Sequence, residues 1–211
     1  MRVRNFVCCV VLSLIIAAPF AFAEEQASIS RLPPLPQPPD PILQDIFDKR
    51  RAMGGAIINL TLTTGHAPKF TKASGAMAFT IRFETSPPRH LIELVIFRTA
   101  QIVGSEYELN QHTPFMKMCN YSNEQIAQVS DWRRSNLFDD KQRALLGYVE
   151  QMANGGNVDD PTFAEFSRFF TSQQIVEISY TVGTYYSTGL LTKAIRIQPE
   201  TDGRLTVAGE C

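Results

Sequence analysis

At 211 residues, 44% apolar and 19% charged, the chain is long enough for one substantial core and has ordinary globular composition. A formal charge of -1, a pI near 6.3 and the lack of any lysine/arginine run supply no basic field and exclude nucleic acid as an expected partner. No P-loop or GxGxxG is present, no CxxC occurs, and His66, His90 and His112 are too scattered to propose a metal site. Neither metal nor cofactor is expected.

The chain opens with Arg2 and Arg4, an apolar run from Phe6 to Phe20, and Ala21-Phe-Ala23. This order reads as a signal peptide over 1–23; the run is short of a bilayer span and Pro19 interrupts it. A secreted or periplasmic protein is expected, with no membrane contact after cleavage. Removing Arg2 and Arg4 from 20 basic residues leaves 18 against 21 acidic ones, which changes nothing about partners. Cys8 and Cys9 leave with the signal, so Cys119 and Cys211 remain where disulfides can form. The sequence leaves open whether they pair.

Residues 24–41 form a proline-rich arm, with six prolines between Pro33 and Pro41. They force an extended, polyproline-like path, either a linker or an arm wrapping a neighbouring subunit. Helix signals fill 42–200, ahead of a tail at 201–211. Asp40-Pro41 caps a helix striped by Ile42, Ile46 and Phe47, which Gly54-Gly55 ends. His66-Ala-Pro68 opens a second, with Phe70, Ala73, Met77 and Ile81 at helical spacing. Ser86-Pro-Pro88 opens a third, from Leu91 to Val103; Gly104 breaks it, and Ser105 starts a fourth through His112 to Met116. Ser122-Asn-Glu-Gln125 is a capping box, Asp139-Asp140 opens Arg143 to Met152, and Asn154-Gly-Gly156 closes that helix. Asp160-Pro161 precedes Phe163, Phe166, Phe169 and Phe170, an aromatic stripe expected in the core. Thr171-Ser-Gln-Gln174 starts the last segment, to Ile197. Its β-branched content would suit a strand, but its length without turn signals favours helix. The expectation is an all-α fold of eight helices.

Glu93 lies within Leu91-Ile-Glu-Leu-Val-Ile-Phe97. A carboxylate buried there needs a partner, and His112 or Tyr107 is the available kind. Ser105, Glu108 and His112 follow at spacings of three and four, so they share one stripe of a helix. Gly104 lets the two helices pack antiparallel, bringing Glu93 to that stripe. Ser105-x-x-Glu108 is also readable as a capping box. Arg98, with Phe97, Tyr107 and Phe115, suits either a small-ligand pocket or core packing. Trp132 with Arg133-Arg134 suits an anion or, more simply, a half-exposed tryptophan beside solvated arginines. His66 reads as a helix-entry histidine.

Glu93, Ser105 twelve residues on, then Glu108 and His112, and the short capped helix at Ser122, resemble the carboxymuconolactone decarboxylase and alkylhydroperoxidase D superfamily. The resemblance runs from about Leu32 to Glu200. It implies an all-helical domain with a central antiparallel helix pair, its site near a subunit interface, usually in homo-trimers or hexamers. In the peroxidase branch, positions matching Ser105 and Glu108 are the CxxC cysteines, with Glu93 and His112 as proton-relay partners. Serine and glutamate replace neither a thiolate attacker nor a resolving thiol, which argues against a peroxiredoxin-like oxidoreductase. The decarboxylase-like branch implies instead a cofactor-free lyase or isomerase acting on a small carboxylated or lactone substrate. There Glu93 or Glu108 would be general acid or base and His112 the proton shuttle. Tyr107 would donate to a developing enolate, with Ser105 and Arg98 contacting substrate. The alternative is a non-catalytic secreted protein that holds a small hydrophobic ligand in the same pocket.

Overall fold

The computed structural model describes residues 30–35, 40–202 and Cys211; the expected signal peptide lies outside them. Helix α1 (Pro41–Ala52) begins where predicted. Asp40 accepts the Ile42 N–H at 2.7 Å, and Pro41 occupies a first-turn position where no donor is needed. A six-residue helix, α2 (Asn59–Thr64), follows; it is too brief to carry a readable period. Then come α3 (Pro68–Phe83), α4 (Arg89–Val103), α5 (Glu106–Met118), α6 (Asn123–Gln128), a 3-10 turn at Val129–Asp131, α7 (Asp140–Ala153), α8 (Asp160–Ser167) and α9 (Ser172–Ile195). Among the described residues there is no strand and there are nine α-helices, one more than expected. None of these helices is long and apolar enough to cross a membrane.

Helix α4 is the centre. Its residues are buried on every side, from Leu91 to Val103, because it packs against α5, α7 and α9 at once. Gly104 ends it with φ of 70°, a left-handed conformation open to glycine at little cost, and turns the chain back into α5. Helix α9 lies close on that turn. A Cβ at Gly189 would stand 2.9 Å from Val103 Cγ1 and 3.3 Å from Ser105 Cβ, so only glycine permits the approach. On the other side, Tyr148 of α7 stacks on Phe166 at 4.1 Å, and Phe166 packs on Phe170. Phe163 departs from the expected stripe: it is 44% exposed.

Both ends of the described chain are fastened to the helical body. The Arg31 N–H donates to Ile195 O at 2.8 Å, the Leu35 N–H donates to Leu62 O at 3.0 Å, and His66 Nε2 lies 2.9 Å from Pro33 O. The described part of the arm is therefore held by its own domain, and His66 is one of its anchors. Cys119, the C-cap of α5, forms a disulfide with Cys211, 92 residues later, with a Cα–Cα distance of 5.1 Å.

Candidate active site

Glu93 is fully buried on α4, and its two oxygens have different partners. Oε2 lies 2.7 Å from His112 Nδ1, while Oε1 accepts Arg89 Nε at 2.7 Å, with Arg82 Nε 3.9 Å away. Burial alone would push this carboxyl up. The interaction with His112, its hydrogen bond included, and the charges of Arg89 and Arg82 outweigh it and hold Glu93 below the ordinary carboxylate range. The predicted partner His112 is present, and two arginines join it. Arg89 stands four residues before Glu93, a spacing that could have revealed it. Arg82 comes from α3 and carries no such signal.

A carboxylate only accepts hydrogen bonds, so His112 Nδ1 carries the hydrogen and, in the neutral ring, Nε2 carries the lone pair. Nε2 points towards Glu108, whose Oε2 is 3.6 Å away. Tyr185 and Phe115 hold the ring edge-on, with centroids at 5.2 and 5.6 Å. Glu108 is also buried, and here burial wins over the nearby His112 and Arg82, with Glu200 and Glu93 adding to it; its carboxyl is raised. Two carboxyls thus flank one imidazole with opposite tendencies, Glu93 towards the ionised form and Glu108 towards the protonated one.

The capping box at Ser105 is half formed. Ser105 Oγ accepts the Glu108 N–H at 3.3 Å, but the Glu108 side chain does not reach back. It lines a cavity of about 360 Å³, within the size range of small-molecule sites. Ile46, Ile58, Leu60, Phe79, Phe83 and Leu191 contribute apolar lining, Glu108, Gln111, His112, Arg82 and Tyr185 polar lining, and Asp45, Lys49, Arg50 and Lys72 further charged groups. Glu93 stands behind His112, outside the lining.

Three residues expected at the site have other tasks. Ser105 bonds Thr192 Oγ1 at 2.8 Å, joining α5 to α9, and does not line the cavity. Arg98 is paired with Glu150, which also accepts Trp132 Nε1 at 3.0 Å and pairs with Arg133. It is therefore a structural residue rather than a substrate contact, and Trp132 is buried rather than half-exposed. Tyr107 does line the cavity, but its hydroxyl donates to Glu200 Oε1 at 3.0 Å and accepts the Leu60 N–H at 3.1 Å. With its one hydrogen committed, it is no enolate donor in this arrangement. Sequence reasoning missed Arg82, Gln111, Tyr185 and Glu200. Of these only Gln111, three residues after Glu108, could have been read from spacing.

Residues 68–151, spanning α3 to α7, match the sequence profile of the carboxymuconolactone decarboxylase family. This segment belongs to that family. Arg82, Glu93, Glu108, Gln111 and His112 all lie in the family segment; Tyr185 and Glu200 follow it. No curated protein matches the sequence. Among solved structures, an uncharacterised peroxidase-related protein from Ralstonia eutropha, with an alkylhydroperoxidase AhpD core, superposes with a TM-score of 0.72. It is 19% identical, and the alignment covers 87% of this chain and 98% of that one. The debrominase Bmp8, solved with 2,3,4-tribromopyrrole, aligns with a TM-score of 0.69 and 18% identity over 80% of this chain and 90% of its own. A peroxidase-related protein from a Silicibacter species gives 0.69 and 17%, covering 82% and 95%. At these identities the structures show a shared fold.

Proposed function

We propose that the protein is a cofactor-free acid–base enzyme, a decarboxylase-like lyase or isomerase acting on a small carboxylated or lactone compound. The observation that carries this reading is His112, held by Glu93 at Nδ1 and turned with Nε2 towards Glu108 in the lining of a largely apolar cavity. In an isomerisation, Nε2 takes a proton from an acidic carbon, and Glu93 stabilises the resulting imidazolium. Glu108 gives its proton to the developing enolate oxygen; the imidazolium then delivers its proton to a different carbon while Glu108 takes the enol proton back, which completes the shift. In a decarboxylation the C–C bond to the carboxylate breaks, carbon dioxide leaves, Glu108 protonates the carbanion, and a proton from solvent reloads Glu108. Arg82 adds positive charge to the same lining.

The cavity walls alone would also suit a non-catalytic carrier of a small hydrophobic ligand, and exchange chemistry separates the two. Deuterium uptake from heavy water at the acidic C–H of β-keto acids and unsaturated γ-lactone acids is expected with the wild type. His112→Ala should lower it by roughly tenfold or more; equal uptake by a folded variant overturns the assignment. Thiol peroxidase chemistry has no support here, because Ser105 is engaged with Thr192 and the described cysteines are joined to each other. That disulfide supports the expected secreted or periplasmic location. Exposed Phe70, Val176, Tyr180 and Leu190 on α3 and α9 support assembly as a homo-trimer or hexamer, which sedimentation would measure.

A further inference from the structure

Gln111 stands one turn after Glu108 on α5, buried and lining the cavity. Its Nε2 donates to Glu200 Oε2, and the same carboxylate accepts the Asn59 N–H at 2.6 Å and the Tyr107 hydroxyl at 3.0 Å. Three donors converging on one carboxylate define it as an acceptor, so the amide of Gln111 has one possible orientation, nitrogen towards Glu200. The oxygen is then turned away from Glu200. Oε1 is buried and has no hydrogen-bond partner among the described residues, and the same is true of Glu108 Oε1. Buried carbonyl acceptors are almost always satisfied, so each such group calls for an explanation. Both orphaned oxygens belong to cavity-lining residues three apart on one helix face.

We propose that Gln111 is a specificity residue whose Oε1 accepts a hydrogen bond from a hydroxyl or N–H group on the substrate, next to the carbonyl oxygen that Glu108 engages. Resting on the acid–base reading above, this narrows the substrate class to carboxylated or lactone compounds with an apolar body that also carry a hydroxyl or N–H beside the reacting carbonyl, such as an α-hydroxy lactone; a hydroxy-ketone reproduces that donor–acceptor pair. A fixed carbonyl oxygen repels a carboxylate or ether oxygen at that place, whereas Glu108 supplies the complementary donor. Glu200, which touches no substrate, is a positioning residue for the amide.

The test compares 2-hydroxy-1-phenylethanone with its methyl ether, 2-methoxy-1-phenylethanone, by calorimetric titration of the full mature chain. The wild type should favour the alcohol by roughly threefold to tenfold, the worth of one neutral hydrogen bond. Gln111→Leu should abolish that preference. Glu200→Gln, which can present its own amide oxygen or nitrogen, should weaken it by letting the Gln111 amide invert. Equal binding of the two probes by the wild type, tighter binding of the ether, or binding of neither overturns the proposal, whatever the variants do. Deuterium uptake at the probe's α-carbon is followed in parallel. Uptake without preference for the alcohol overturns this proposal and spares the acid–base reading. Preference without uptake does the reverse.

Discussion

His112 meets Glu93 through Nδ1 at 2.7 Å across two antiparallel helices, and that bond determines which nitrogen faces the cavity. It also compensates a carboxylate in the middle of the core. Glu93→Gln keeps the shape but leaves Arg89, largely buried, beside a neutral amide. Breaking a buried pair from one side costs about 3 kcal/mol or more, and denaturant unfolding should show a loss of that order. Exchange activity should fall as well, since the imidazolium loses its counter-ion; a variant as stable and as active as the wild type would remove Glu93 from both roles.

Glu108 and Glu93 should give opposite pH signatures. Glu93 is held below the usual carboxylate value of 4.5, so its stabilisation is complete above that pH and is lost as pH falls towards its folded value. Glu108 is raised above 4.5, so the folded protein retains a proton that the unfolded chain gives up. Its contribution is complete below 4.5 and drains away as pH rises through the folded value. The melting temperature of Glu108→Gln minus that of the wild type should therefore increase from pH 4.5 upwards. A flat difference would mean that Glu108 is an ordinary carboxylate. Turnover by the same variant should drop by about two to four orders of magnitude.

The cluster around Glu150 is a stability element. Burial pushes its carboxyl up, but hydrogen bonds from Arg133, Trp132 and Arg98 bring it below the ordinary range. Glu150→Ala leaves Arg98 Nη2 and the Trp132 N–H without their acceptor, while Arg98 Nη1 keeps Gln101 Oε1, and a loss of about 2–4 kcal/mol is expected in chemical denaturation. Probe affinity measured below the transition should not move.

Reduction of Cys119–Cys211, or Cys211→Ser, frees a closure spanning 92 residues. A loop of that length stabilises through the unfolded state by about 2–5 kcal/mol. Thermal unfolding with and without reductant should separate the two forms of the wild type and coincide for the serine variant.

The convergence of Glu93, Glu108 and His112 was legible because all three fall in one helical hairpin, where spacing and a single turn at Gly104 determine who meets whom. Arg98 was misread for the same geometric reason taken one step too far. It is five residues after Glu93, about 140° around the helix, and so faces α7 instead of the cavity. Tyr107 was placed correctly but its hydroxyl was not, since Glu200 lies 93 residues away. Arg82, Tyr185 and Glu200 reach the site only through tertiary packing, which local pattern does not encode. The length of the final helix outweighed its β-branched stretch, as expected, whereas α2 had too few residues to announce itself.

The exposed turn at Gly155–Gly156 joins α7 to α8 inside the segment that Cys119 and Cys211 close. Proteolytic nicking at that turn would cut the peptide but not the ring. The piece carrying α8 and α9, with Tyr185 and Glu200, would stay covalently attached to the piece carrying His112, migrating as one band until a reducing agent splits it in two.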